Sequence, residues 1–170
     1  PLTAIAFFML TGELMTSATI TDRLVALSRA LIGRIRGGLA QVNVLVSMFF
    51  AGMNGSVVAD TATVGALVLP AMKKAGYPAA FSAAVTGVSS TIGGIIPPSI
   101  MMIVLANATE ISIASLFAAG IVPGILIGVV IMVINHYFAV KYNFERSDEP
   151  FSVRRAGKEL YRSSFALLIP

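Results

Sequence analysis

The sequence predicts an all-α integral membrane protein, and three observations support this fold class. First, 56% of the 170 residues are hydrophobic and only 12% are charged, more apolar surface than a soluble domain of this length can bury. Second, long apolar runs alternate with short basic clusters, the pattern that encodes membrane topology. Third, two of the apolar runs are interrupted by glycine, proline and hydroxyl residues, which predicts broken helices at membrane depth.

The apolar runs and the polar segments between them divide the chain into successive predicted parts. The first run is long enough to cross the hydrocarbon core and carries one charge, Glu13. The basic stretch that follows has apolar residues at helical spacing, as in a helix lying on the membrane surface. In order, the predicted parts are a transmembrane helix (1–20), an amphipathic cytoplasmic-surface helix (21–38), a re-entrant hairpin (39–77), a broken transmembrane helix (78–108), a transmembrane helix (113–140), a cytoplasmic loop (141–162) and the start of the next helix (163–170).

The basic residues favour the hairpin over two full crossings. All 12 lysines and arginines can lie on the cytoplasmic face if the segment 39–72 leaves and returns to the same side. Each of its apolar arms is about 15 residues, or roughly 22 Å as helix, which is shorter than the ~30 Å hydrocarbon core. We therefore predict a turn near mid-membrane. Because the basic residues are separated by apolar spans, we predict that the chain lies in the lipid bilayer. The same separation leaves no continuous basic patch, which excludes nucleic acid as a partner.

The predicted hairpin tip lies within the stretch "GMNGSVVADT" at Gly52–Thr61. A helix that ends inside the membrane leaves carbonyl groups unpaired, and one that begins there leaves N–H groups unpaired. The carbonyls and the nearby side-chain oxygens can bind a small cation such as Na⁺, whereas the N–H groups favour an anion. Asp60 lies about one turn into the second arm, and we expect it to support the tip. The residues leave a simpler alternative open, in which the tip is only capped and Asp60 bonds to nearby backbone.

The second interruption is the stretch "SSTIGGIIPPS". Gly93-Gly94 frees the backbone, and Pro97-Pro98 cannot donate N–H bonds. A plain proline kink is the alternative, but two interrupted segments in one chain are typical of the binding site of a secondary transporter. The predicted ion-binding residues are Asn54, Gly55, Ser56, Ser90, Gly93 and Pro97, and those predicted to bind substrate or support the site are Asp60, Ser89, Thr91 and Ser99.

At these residues the chain resembles a known family. The stretches "GRIRGGLAQVNVLVSMFFAGMNGSVVADTATVGALVLPAMKKAGY" and "SSTIGGIIPPSIMMIVLANATEISIASLFAAGIVPG" closely resemble the large membrane subunit (DctM-like) of tripartite ATP-independent periplasmic (TRAP) transporters. The likeness covers nearly the whole chain and is densest at the Gly-Ser-x-x-Ala-Asp tip and the Ile-Pro-Pro-Ser break. Asn54 departs from the family pattern, which has a small residue such as serine at this position.

The resemblance implies a fold, a function and partners. The fold is an elevator-type ion-transporter fold, of which this internal fragment contains the first hairpin and broken helix. The function is Na⁺-coupled import of organic acids across the bacterial inner membrane by a multi-pass subunit. The partners are a small membrane subunit (DctQ-like) and a periplasmic substrate-binding protein. The resemblance implies no enzymatic activity, and no cofactor or metal besides Na⁺ as the coupling ion.

Two other transport functions stay open at this point. One is an ion-coupled carboxylate transporter of similar hairpin architecture that needs no binding protein, and the other is a passive channel. An intramembrane protease is disfavoured, because it requires two facing acids or a histidine near mid-membrane. The single histidine, His136, lies at the predicted cytoplasmic interface.

Overall fold

The computed structural model describes residues 10, 20–32 and 35–144, and this part of the chain is almost entirely helical. The all-α class is therefore confirmed for the described residues. The predicted segment 163–170, nearly all of the helix 1–20 and most of the loop 141–162 lie outside them. The helices are α1 (Ile20–Ile32), α2 (Gly38–Asn54), α3 (Val57–Lys74), α4 (Ala79–Ser90), α5 (Ile100–Thr109) and α6 (Ile113–Lys141), with a short 3₁₀ turn at Thr91–Gly94.

Helix α1 has the two faces that its sequence predicts. Leu24 and Leu27 are fully buried, while Arg23 and Arg29 are exposed. Leu24 belongs to the hydrophobic core of the described residues, and α1 packs against α2. This division of apolar and basic residues is that of an amphipathic helix.

The chain reverses direction between α2 and α3 within two residues. Gly55 ends α2 in the left-handed conformation with φ 59°, and its N–H donates to the Ala51 carbonyl. Ser56 then begins α3 as its N-cap, because its side-chain oxygen accepts a hydrogen bond from the Ala59 N–H. Glycine at the end of one helix and serine at the start of the next therefore make the hairpin turn.

The second interruption, residues 91–98, separates α4 from α5 and is called the break. Helix α4 passes into the 3₁₀ turn, and the N–H groups of Ile95 and Ile96 both bond to the Ile92 carbonyl at 2.9 Å. A cis peptide joins Pro97 to Pro98. Helix α5 then begins with Ser99 as its N-cap.

Among the described residues, one helix is long and apolar enough by length and composition to cross a membrane, and it is α6. Helices α2 and α5 are also apolar but shorter. Helix α2 is the centre of the packing, since it contacts α1, α3, α4, α6 and the 3₁₀ turn. Its side chains at Val44, Val46 and Phe50 are almost completely buried.

An aromatic cluster joins the open end of the hairpin to the end of α6. The ring centroids of Tyr77 and Phe144 are 4.7 Å apart, and those of Phe81 and Phe144 are 5.0 Å apart. Phe138 of α6 packs edge-on against Phe81 at 6.2 Å. Aromatic pairs at these separations contribute beyond the area they bury, so the base of the hairpin is firmly attached.

Candidate functional site

The structure brings the hairpin tip against the break. The Ile100 N–H donates to the Gly55 carbonyl at 3.2 Å. Gly93 faces the start of α3, where an added Cβ would be in ordinary van der Waals contact, 3.6 Å from the carbonyl carbon of Ser56. An added Cβ at Gly55 would overlap the carbonyl oxygen of Pro98, and one at Gly52 would lie 3.8 Å from that of Pro97. Residues about forty apart in sequence therefore meet through their backbones.

Two of the predicted ion-binding residues organise the backbone of the tip. The side-chain oxygen of Asn54 accepts the Ser56 N–H at 3.0 Å. Ser56 accepts the Ala59 N–H at 3.3 Å. Asn54 is 5% exposed, and its amide nitrogen has no hydrogen-bond partner among the described residues. Asn54 thus stabilises the turn through its side-chain oxygen, and its amide nitrogen is left as a buried donor without a partner among the described residues.

The hydroxyl groups predicted around the break differ in their surroundings. Ser89 and Ser90 are fully buried, and Ser90 donates to the Thr86 carbonyl at 2.8 Å. Ser99 is also buried and donates across the break to the Gly94 carbonyl at 2.9 Å. Thr91 is exposed and donates to the Val88 carbonyl at the end of α4. The structure therefore groups the serines with the site and leaves Thr91 on the outer surface.

Asp60 is fully buried, and neither of its carboxylate oxygens has a hydrogen bond within ordinary limits among the described residues. The hydroxyls of Ser90 and Ser47 are the side chains that face it. Of the simpler alternative, the capping of the tip is therefore present at Ser56, whereas no backbone group among the described residues bonds to Asp60. An ionised carboxylate in such surroundings costs several kcal/mol unless a cation neutralises it or it takes up a proton.

A buried polar network lies behind the tip, and of its members only Ser89 is among the residues predicted from the sequence. Asn43 of α2 donates to the Thr86 hydroxyl at 2.7 Å. Ser89 bonds to Asn43 at 3.3 Å and lies 3.2 Å from the Ser47 hydroxyl. The signal was present, because Asn43 and Ser47 are four residues apart and Thr86 and Ser89 three apart, so each pair shares one helix face.

Replacing Thr86 with valine is expected to destabilise the protein by about 1–3 kcal/mol, because the buried Asn43 amide loses its short hydrogen bond. The measurement is the free energy of unfolding in detergent. Thr109→Val is the matched control. The Thr86 hydroxyl donates to the Ser82 carbonyl and the Thr109 hydroxyl to the Leu105 carbonyl, each four residues back in the same helix, but Thr109 is exposed. Equal stability of the Thr86 variant and the parent would show that the network contributes nothing.

The oxygen atoms available at the site suit a hard cation. Within the described residues, no three His, Cys, Asp or Glu side chains group as metal ligands, so the available ligands are backbone carbonyls, hydroxyls and one carboxylate. Oxygen ligands of this kind are those that alkali and alkaline-earth cations prefer. The residues that could supply them are Gly55, Ser56, Asp60, Ser90 and Gly93.

Helices α3 and α5 both begin at this site, with Ser56 and Ser99 as their N-caps. Helix N-termini carry unpaired N–H groups and partial positive charge, which favour anions. A cation site beside two helix N-termini can therefore accommodate an ion and an anionic solute together.

These features define a helical protein with two interrupted elements that meet at a polar site and, within the described residues, one helix long and apolar enough to cross a membrane. The family model for the DctM component of the tripartite ATP-independent periplasmic transporters matches residues 1–170, and the chain belongs to this family. The resemblance noted from the sequence is thereby confirmed.

Several curated relatives carry names that state a transported compound. The chain is 46% identical over 138 residues to the C4-dicarboxylate TRAP transporter large permease protein DctM of Pseudomonas aeruginosa, covering 81% of this chain and 32% of that protein. It is 39% identical over 171 residues to the sialic acid TRAP transporter permease protein SiaT of Haemophilus influenzae, covering 100% of this chain and 27% of that protein.

A third relative is the 2,3-diketo-L-gulonate TRAP transporter large permease protein YiaN of Escherichia coli. It is 40% identical over 148 residues, which cover 87% of this chain and 35% of that protein. The chain thus spans about a third of the length of the curated relatives it matches. These relatives are named as transporter permeases.

Proposed function

We propose that this chain is part of a large permease subunit that imports organic acids together with Na⁺. The compounds in the names of the relatives, C4-dicarboxylates, sialic acid and 2,3-diketo-L-gulonate, are all organic acids. The substrate is delivered by a periplasmic binding protein, and a small membrane subunit accompanies the permease. Membership of the TRAP family favours this function over a carboxylate transporter without a binding protein and over a passive channel.

The observation that carries the proposal is the meeting of the hairpin tip and the break beside an unpaired acid. Backbone groups of both segments converge at Gly55 and Gly93, and Asp60 lies buried next to Ser90. A bound Na⁺ would satisfy carbonyl groups of both segments and offset the charge of Asp60. It would thereby order the helix N-termini that bind the carboxylate of the substrate, so that uptake depends on Na⁺.

The hairpin and the broken helix belong, in this proposal, to the moving part of an elevator-type transporter in the bacterial inner membrane. Their contacts support movement as one unit, because the tip, the break, α2 and α4 share hydrogen bonds and buried packing. The rest of the intact permease supplies the remaining spans and a second ion site.

The Na⁺ dependence of uptake tests the proposal. In the intact permease, reconstituted in vesicles with its partner subunits, Ser56→Ala and Ser90→Ala should each raise the Na⁺ concentration for half-maximal uptake by about tenfold. A tenfold change corresponds to about 1.4 kcal/mol of binding free energy, which is the expected loss for removing one oxygen ligand of the ion.

Ser112→Ala is the matched control for Ser56→Ala. Ser112 caps α6 by accepting the Ser115 N–H, the same kind of bond that Ser56 makes to Ala59, but it is exposed and lies at the start of α6. The Ser112→Ala variant should lose the N-cap of α6 and keep the Na⁺ dependence of the parent. Uptake by the Ser56 and Ser90 variants with unchanged Na⁺ dependence would refute the ion site.

A further inference from the structure

Helix α6 presents a stripe of buried glycines toward the rest of the protein: Gly120, Gly124 and Gly128. These residues are four apart and therefore lie on one face of the helix. An added Cβ at Gly120 would lie 2.5 Å from the carbonyl oxygen of Ile95. At Gly124 it would overlap the side chain of Ile96. Two of the three glycines thus contact the break itself.

The break is consequently held between two surfaces. On one side, Gly93 and Gly94 face Ser56 and Val57 of the hairpin tip, where an added Cβ would lie 3.4–3.6 Å from the nearest atoms. On the other side, Ile95 and Ile96 rest against α6. The break therefore fits between α6 and the hairpin tip only because α6 has glycines where it contacts the break.

We infer that Gly120 and Gly124 are positioning residues that set the distance between the break and the hairpin tip, and with it the affinity for Na⁺. This inference rests on the proposed ion site and assigns α6 a role in it. Neither glycine contributes a ligand. They act through Ile95 and Ile96, whose backbone continues directly into the residues that face Ser56.

The two kinds of neighbour along the stripe make the inference testable. The neighbour of Gly120 includes a backbone carbonyl, which cannot move without shifting the break. The neighbour of Gly128 is the side chain of Met48, with an added Cβ 2.5 Å from its sulfur. Methionine has three rotatable bonds and adapts readily. Alanine at Gly120 should therefore shift the break, whereas alanine at Gly128 should move only the side chain of Met48.

The experiment measures Na⁺-dependent uptake by the intact permease with its partner subunits. Gly120→Ala should raise the Na⁺ concentration for half-maximal uptake by about tenfold, because overpacking against backbone costs about 1–3 kcal/mol. Gly128→Ala is the matched control on the same face and should stay within about twofold of the parent. Thermal unfolding of both variants in Na⁺-free buffer measures the effect of each substitution on stability in the absence of the ion.

A compensating pair keeps the test decisive if the Gly120 variant does not fold. Gly124→Ala should also raise the Na⁺ requirement, and adding Ile96→Ala should restore it, because the overlapping atoms belong to the Ile96 side chain. A merely structural role would be seen as lower stability at an unchanged Na⁺ requirement.

The outcomes separate this inference from the function on which it rests. Parent uptake that does not respond to Na⁺ would overturn both. If parent uptake depends on Na⁺, two results would overturn the role of α6 alone. In the first, the Gly120 and Gly124 variants have the Na⁺ requirement of the parent. In the second, Gly128→Ala raises the Na⁺ requirement as far as Gly120→Ala does. A higher Na⁺ requirement at Gly120 and Gly124, with rescue by Ile96→Ala, would establish it.

Discussion

Gly55→Ala is expected to reduce uptake by about two orders of magnitude, since misplacing a binding group by about 1 Å can have effects of that size. Gly55 has a φ of 59°, where a side chain is strained by about 1–2 kcal/mol. The added methyl group would also overlap the Pro98 carbonyl oxygen. The tip must then retreat from the break, and the hydrogen bond from Ile100 to Gly55 is lost. The measurement is the initial uptake rate of the intact permease at saturating Na⁺ and substrate.

Gly76→Ala is the matched control for this effect. Gly76 has a similar φ of 80°, but nothing lies within 4 Å of an added Cβ. The Gly76→Ala variant should have the backbone strain without the overlap, and its uptake rate should stay close to that of the parent. If the two variants were equally impaired, strain at positive φ would be sufficient and the contact between tip and break would be unnecessary.

Asp60→Asn should raise the Na⁺ concentration for half-maximal uptake by more than tenfold. The amide has nearly the shape of the carboxylate but lacks the charge that attracts the ion, and a charged partner of a bound ion is worth about 1.5–3 kcal/mol or more. In Na⁺-free buffer at pH 8 the variant should unfold at a higher temperature than the parent, because an unpaired buried charge has been removed.

Uptake at varied Na⁺ and thermal unfolding with and without Na⁺ provide both readouts. Glu110→Gln removes an acid at an exposed position and should alter neither. A variant of Asp60 that unfolds at a lower temperature and keeps the parent's Na⁺ dependence would identify the residue as a structural hydrogen-bond acceptor. The sequence alone predicts only a supporting role for Asp60, and the larger expected effect comes from its unpaired oxygens.

The features of this fold that could be predicted from sequence depend on local chemistry. Gly55 and Ser56 end one helix and cap the next because of their own backbone and side-chain preferences. Proline at 97 and 98 interrupts the next helix for the same kind of reason. The proximity of the two interruptions could be expected as well, since both leave polar backbone in an apolar environment.

The features that could not be predicted depend on packing between distant segments. The Asn43–Thr86 hydrogen bond requires the rotation of α2 against α4, and neither residue indicates its partner. The isolation of Asp60 depends on which hydroxyls face it and where their own hydrogen bonds go. The glycines of α6 look like ordinary small residues of a membrane helix until the break is seen against them.

The aromatic cluster holds the base of the hairpin at a long distance from its tip, so a small change of angle at the base becomes a large displacement at the tip. The cluster of Tyr77, Phe81 and Phe144 anchors the far end of α3, a helix of 18 residues and thus about 27 Å long. A tilt of about 5° at the anchored end displaces the other end by roughly 2 Å over that length. A displacement of this size away from the break would lengthen the 3.2 Å bond between the Ile100 N–H and the Gly55 carbonyl beyond hydrogen-bonding distance. The angle at which the aromatic cluster holds the base of α3 therefore determines how closely the tip approaches the break.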